Sequence, residues 1–130
     1  MAGRSALLKR FPPRILSLLA KARMLAVRAG SGDHRFTGIW FVVVDGRLLV
    51  RPYYDSATGW RRAFLREPRG MILVGTREIG VRAKSVRGER LFEAMDRAYA
   101  EKYPTPGSRK WVRGFARPRR RKTTMELLPG

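Results

Sequence analysis

Residues 39–54 read IWFVVVDGRLLVRPYY, two greasy runs separated by Asp45-Gly46. Asp-Gly between alternating apolar residues is the strongest local signal for a two-residue β-hairpin turn. A two-residue turn at 45–46 sets Val44 opposite Arg47, and the register then follows at every position. Val43 meets Leu48, Phe41 meets Val50, and Ile39 meets Pro52, a wholly apolar face expected to form the interior. The other face pairs Val42 with Leu49, Trp40 with Arg51, and Gly38 with Tyr53. Arg51 is thereby expected outside the core, beside an indole on which a guanidinium can stack. Such a face is too apolar for water and too polar for a core. A ligand, a second subunit or the chain's own helix must cover it.

Working outward, Pro12-Pro13 opens a helix over about 12–24, with Ile15, Leu18, Leu19, Ala22 and Leu25 as its apolar stripe. Residues 25–29 (LAVRA) are a short strand, and residues 30–34 (GSGDH) a turn rich in residues that tolerate positive φ. Phe36–Val44 and Arg47–Tyr53 form the hairpin. Residues 60–67 (WRRAFLRE) make two helical turns stopped by Pro68 and Gly70. MILVG and EIGVRAKSV are two more strands, with a tight turn at Thr76-Arg77. A helix over about 89–103 has Phe92, Met95, Tyr99 and Tyr103 on one face, with Glu93–Arg97 and Arg97–Glu101 spaced as i,i+4 pairs. A basic loop over 109–122 leads to a last strand at about 123–128. The order α-β-β-β-α-β-β-α-β, with tight turns, predicts an α+β, mostly β chain. Its fold is a small antiparallel split β-barrel of about six strands with flanking helices, one domain over 1–130 whose barrel core spans about 25–88.

Composition narrows the chemistry. With no cysteine, thiol nucleophiles, disulfides and cysteine-held metals are excluded, and the single His34 makes a histidine metal site or a Ser–His–Asp triad hard to assemble. No metal site is expected. The net charge of +19 rests on 23 arginines and 6 lysines against ten carboxylates, a balance suited to phosphate oxyanions. Ile15–Val27 is too short to span a bilayer and is interrupted by Lys21 and Arg23, so no membrane association and a cytoplasmic location are expected.

The segment from Leu25 to about Val86 resembles the flavin-binding split-barrel superfamily, the pyridoxamine-phosphate-oxidase-like proteins. It is similar in layout to the deazaflavin-dependent nitroreductase branch and to a family of unknown function in the same group. The likeness rests on the order of short motifs: Ser31-Gly32 and Arg35 in the loop, Asp45-Gly46 at the hairpin, VRPYY at the strand end, and Trp60 opening the next helix. DRAYAEKY (96–103) and Thr123–Leu127 resemble the last helix and terminal strand of the unknown-function family. The resemblance implies a homodimer with a phosphate-bearing cofactor, FMN or a deazaflavin, in a groove between subunits. It places Ser31, Gly32 and Arg35 at the phosphate. Trp40, Arg51, Tyr53 and Trp60 would line the groove, and Arg61 offers a further cation where the family has other residues. It implies an oxidoreductase, with no catalytic residue assigned.

Two other readings stand beside it. Residues 109–122 carry eight cations and no acid, interleaved with Trp111 and Phe115, a composition that can grip nucleic acid or can anchor a surface loop to the barrel. A split barrel that keeps its fold without a cofactor is the third.

Overall fold

A computed structural model describes residues 10–30 and 35–130. Asp45 and Gly46 both take positive φ, 52° and 76°, as a type I′ turn demands. The register follows as expected: Val44 opposes Arg47, Val43 opposes Leu48, and Val42 opposes Leu49.

The chain runs through α1 (Pro13–Lys21), β1 (Leu25–Ala29), β2 (Thr37–Ile39), β3 (Val42–Val44) and β4 (Arg47–Val50). Then come α2 (Trp60–Arg66), β5 (Arg69–Val74), β6 (Arg77–Ser85), α3 (Glu89–Lys102), a short 3-10 turn (Pro106–Ser108), α4 (Arg109–Phe115), α5 (Pro118–Arg121) and β7 (Met125–Pro129). All strand pairs are antiparallel, in the order β2-β1-β5-β6-β7-β4-β3. This seven-stranded sheet curls into a half-barrel with flanking helices, the α+β split barrel the sequence implies.

The two outermost strands, β2 and β3, are neighbours in sequence. Phe36–Val44 is therefore not one strand. It breaks at Trp40-Phe41, so that β2 pairs with β1 while β3 pairs with β4. That break raises the strand count to seven, and it replaces the expected Gly38–Tyr53 pair with Gly38–Ala26. The β5–β6 turn also sits one residue earlier than expected, at Gly75-Thr76, since Val74 opposes Arg77 and Gly75 supplies the positive φ.

Tyr103 stitches the break. Its hydroxyl accepts the Phe41 N–H at 3.2 Å and donates to the Arg23 carbonyl at 2.7 Å. Burial pushes this hydroxyl up to about 12, so it stays protonated and able to donate. Tyr103→Phe leaves a buried N–H without a partner, and we expect a loss of about 1–3 kcal/mol. Urea unfolding measures that loss, and amide exchange at Phe41 should quicken with it; unchanged exchange would deny the stitch.

The barrel interior is the apolar face derived above: Ile39, Phe41, Leu48 and Val50 join Val27, Ile72, Val81 and Leu127. From α1, Ile15 and Leu19 pack onto it. The opposite face of the hairpin, Val42 and Leu49, packs on Met95, Tyr99 and Tyr103 of α3 and its C-cap, and on Phe115 of α4. The chain's own helices thus cover the mixed face. The segment expected as a basic loop is helical over most of its length, α4 and α5, because Val112 and Phe115 supply the apolar contacts a loop would lack. Its strand begins at Met125; Thr123 and Thr124 close α5 instead, each hydroxyl donating to a carbonyl three residues back.

Candidate functional site

Where the sheet breaks, a groove of about 520 Å³ opens. One wall is the free side of β2, with Thr37 and Gly38; as the terminal strand of the sheet it keeps backbone groups that no described strand pairs. Trp40 lines the floor, stacked on Tyr103 at 3.9 Å and 4° between planes. The strand end after β4 brings Tyr53 and Tyr54, and Trp60 enters from the start of α2. The far wall is Trp111 and Phe115 of α4.

Tyr53 is held at the centre of these rings. It meets Tyr54, Trp111 and Phe115 edge-on at 4.9–5.2 Å, and the Arg120 guanidinium lies 3.7 Å over its ring. Arg120 also donates to the carbonyls of Tyr53 and Gly114, which fixes the strand end against α4. A second hollow of about 430 Å³ shares Pro52, Tyr53, Tyr54 and Ser56 with the groove and adds Asp55, Arg119, Arg120 and Thr123. Arg119 is exposed there and makes no ion pair among the described residues.

Trp40, Tyr53 and Trp60 therefore converge as the sequence suggested. Arg51 borders the same groove, but its guanidinium is not on the surface and does not stack on Trp40. It is enclosed under α3 and α4. Nε donates to Thr124 Oγ1 at 2.8 Å, and Nη1 donates to Asp96 Oδ1 at 2.8 Å and to the Phe115 carbonyl at 3.0 Å. The physical reason is the cover: once two helices close over the hairpin's second face, a charge there must find a carboxylate, and Asp96 of α3 provides it. Asp96 is shared with Arg121, which also reaches Glu89. Arg61 and Arg62 both pair with Asp55, at 3.0 and 3.2 Å. Arg35 is exposed and does not border the groove, although Thr37, two residues on, does. Ser31, Gly32 and His34 lie outside the described residues.

Sequence reasoning missed Arg119 and Asp96, and it named Trp111 and Phe115 only as part of the basic segment, not of this groove. The Trp111, Val112, Phe115 spacing was a faint helical signal. Nothing local marked Asp96 as the partner of a residue 45 positions earlier.

The family model described as "Uncharacterized protein conserved in bacteria (DUF2255)" matches residues 16–127. The chain belongs to this family. No curated protein matches it. Among solved structures, the heme storage protein HutZ of Vibrio cholerae superposes with a TM-score of 0.65 at 14% identity, over 93% of this chain and 91% of that one. A pyridoxamine 5'-phosphate oxidase-like protein of Listeria innocua gives 0.59 at 19%, over 89% and 90%. The conserved hypothetical protein Rv2991 of Mycobacterium tuberculosis gives 0.53 at 16%, over 92% and 81%. These likenesses establish the pyridoxamine-phosphate-oxidase-like split barrel as the fold. No described helix is long and apolar enough to cross a membrane.

Proposed function

We propose that the aromatic groove binds a flat, phosphate-bearing cofactor, FMN or a deazaflavin, and that the protein is an oxidoreductase. The observation that carries this reading is the convergence of Trp40, Tyr53, Trp60 and Trp111 on an open slot beside an unpaired arginine. The donor set fits the group. Aromatic walls suit a conjugated ring, and the open edge of β2 offers N–H and C=O groups to its polar rim. The volume of about 520 Å³ lies within the usual range for small-molecule sites.

When bound, a flavin or deazaflavin would supply the hydride chemistry. The chain's own residues would bind and orient it. Tyr53, fixed by Arg120, would hold one face of the ring, and Trp60 and Trp111 would exclude water. Arg119 takes the phosphate role that Arg51 cannot, because the Arg51 guanidinium is buried and held by Asp96, Thr124 and the Phe115 carbonyl. The loop residues Ser31, Gly32 and Arg35 remain proposed contacts of the same ligand. Met24 and Tyr54, large apolar residues exposed on the groove rim, favour a second copy of the chain as its outer wall.

Titration of purified protein with FMN, riboflavin, a deazaflavin and heme, followed by fluorescence quenching and absorption, tests the reading. FMN or the deazaflavin should bind with about micromolar Kd, and Trp60→Ala should weaken binding at least about tenfold, or 1.4 kcal/mol. Arg119→Ala should weaken FMN but leave riboflavin, which lacks the phosphate, unchanged. HutZ is a heme storage protein, so heme is the rival ring: heme binding with no flavin binding would overturn the proposal.

A further inference from the structure

We propose a second ligand site on the outer face of the sheet, lined by Arg28, Arg69 and Arg82, that binds a small phosphorylated molecule. The site is a hollow of about 700 Å³ across β1, β5 and β6, and it shares no lining residue with the aromatic groove.

Three observations point to an anion. Arg69 and Arg82 are direct cross-strand partners in the β5–β6 ladder, where two like charges repel. Arg28, one strand over, lies over the Phe36 ring at 4.6 Å, and its enclosed Nε–H makes no hydrogen bond among the described residues. None of the three arginines forms an ion pair among the described residues. An anion held between them would relieve the cross-strand repulsion and give the Arg28 Nε–H an acceptor. Guanidinium forks converging from adjacent strands match the several oxygens of a phosphate better than a single carboxylate.

Beside the hollow, two glycines let the chain pack closely. A Cβ at Gly70 would overlap the Arg28 carbonyl and lie 2.9 Å from Phe64 Cε1, and one at Gly30 would overlap the Glu67 carboxylate. Glu67, the only acid among the described lining residues, lies against Gly30, so a bound phosphate is expected toward the Arg69–Arg82 end.

The general attraction of a +19 chain for any anion must be separated from a built site. Isothermal titration with inorganic pyrophosphate at about 0.15 M salt, where long-range attraction is largely screened, does so. Arg69→Ala with Arg82→Ala should lower affinity at least tenfold. Arg109→Ala with Arg113→Ala removes the same charge from exposed positions on α4 and should change it less than twofold. Equal losses in both pairs, or no loss in either, would overturn the site. A single-stranded oligonucleotide without terminal phosphates is the comparison ligand. If only its binding falls in the Arg69/Arg82 pair, the face reads a nucleic-acid backbone and the small-ligand assignment fails. Folding gives an independent readout, because Arg82→Gln should raise the melting temperature of the free protein by relieving the cross-strand repulsion; a fall would contradict it.

Discussion

Arg51→Ala will lower the unfolding free energy by about 3–5 kcal/mol, the usual cost of breaking a buried ion pair by removing one partner. The side chain is fully enclosed, and its polar atoms reach Asp96, Thr124, the Phe115 carbonyl and the Met95 sulfur. Its Cζ also lies 5.4 Å from the Phe92 ring centroid and 6.0 Å from that of Tyr99. Alanine leaves a cavity under α3 and strips three oxygen acceptors and the Met95 sulfur of their donor at once. Asp96→Ala should cost a similar amount, since it strands the buried guanidinium and also frees Arg121. Removing both charges, Arg51→Met with Asp96→Leu, should cost clearly less than the sum of the single changes, because neither charge is then left alone. Urea unfolding of the three variants measures this. A loss below about 1 kcal/mol for Arg51→Ala would mean that the pair behaves as an exposed one. The result also governs how the groove is probed. Weak cofactor binding in an Arg51 variant would report a loosened fold, so Trp60 and Arg119 are the informative positions.

The same arginine marks where the sequence stops being legible. The Asp45-Gly46 turn fixes the hairpin by local geometry alone, and the period of two then sorts Val43 and Leu48 inward and Val42 and Leu49 outward. Both faces are occupied as that register demands. The α3 stripe of Met95, Tyr99 and Tyr103 was equally local. What covers the second face was not, because it depends on contacts between residues about 45–75 positions apart. The break at Trp40-Phe41 lies inside Ile39–Val44, a run of β-formers, and Gly38 falls two residues too early to announce it. It exists because the curled sheet needs its two ends joined, and Tyr103 supplies the hydrogen bonds there. Charge spacing misled as well. Glu93, Arg97 and Glu101 are placed for i,i+4 pairs, yet none forms an ion pair among the described residues, whereas Asp96 holds two arginines. Solvent-facing i,i+4 pairs contribute only tenths of a kcal/mol, so nothing forces them to close. In the groove, three aromatics were named from the sequence: Trp40 from the hairpin register, Tyr53 from the strand end and Trp60 from the start of α2. Trp111 and Phe115 were hidden by the basic composition of 109–122, where arginine outnumbers the apolar residues that set the helix face.

Gly114→Ala will reshape the aromatic groove and weaken binding of the ring ligand proposed for it. In an isolated helix the change would stabilise by about 1 kcal/mol, since alanine is the better helix former. Here the added Cβ would lie 2.6 Å from Tyr53 Cε1 and 2.8 Å from Cζ, well inside contact distance, and would overlap the hydroxyl. A tyrosine on an open surface would simply swing away. Tyr53 cannot do so cheaply, because Tyr54, Trp111 and Phe115 surround it and Arg120 covers its face. Either the ring moves into the groove or α4 lifts from the strand end, and both deform the slot. Overpacking of this kind costs about 1–3 kcal/mol. Flavin affinity should fall by at least tenfold, and the near-ultraviolet circular dichroism of the clustered rings should change. Tyr53→Ala removes the obstacle, so Gly114→Ala should be close to neutral for stability in that background, or stabilising as its helix propensity predicts. A double-mutant cycle reads this coupling directly, with an interaction of about 1–3 kcal/mol whose sign is opposite to that of a favourable contact. Equal effects of Gly114→Ala with and without Tyr53 would mean that glycine serves the α4 backbone and not the seat of this ring.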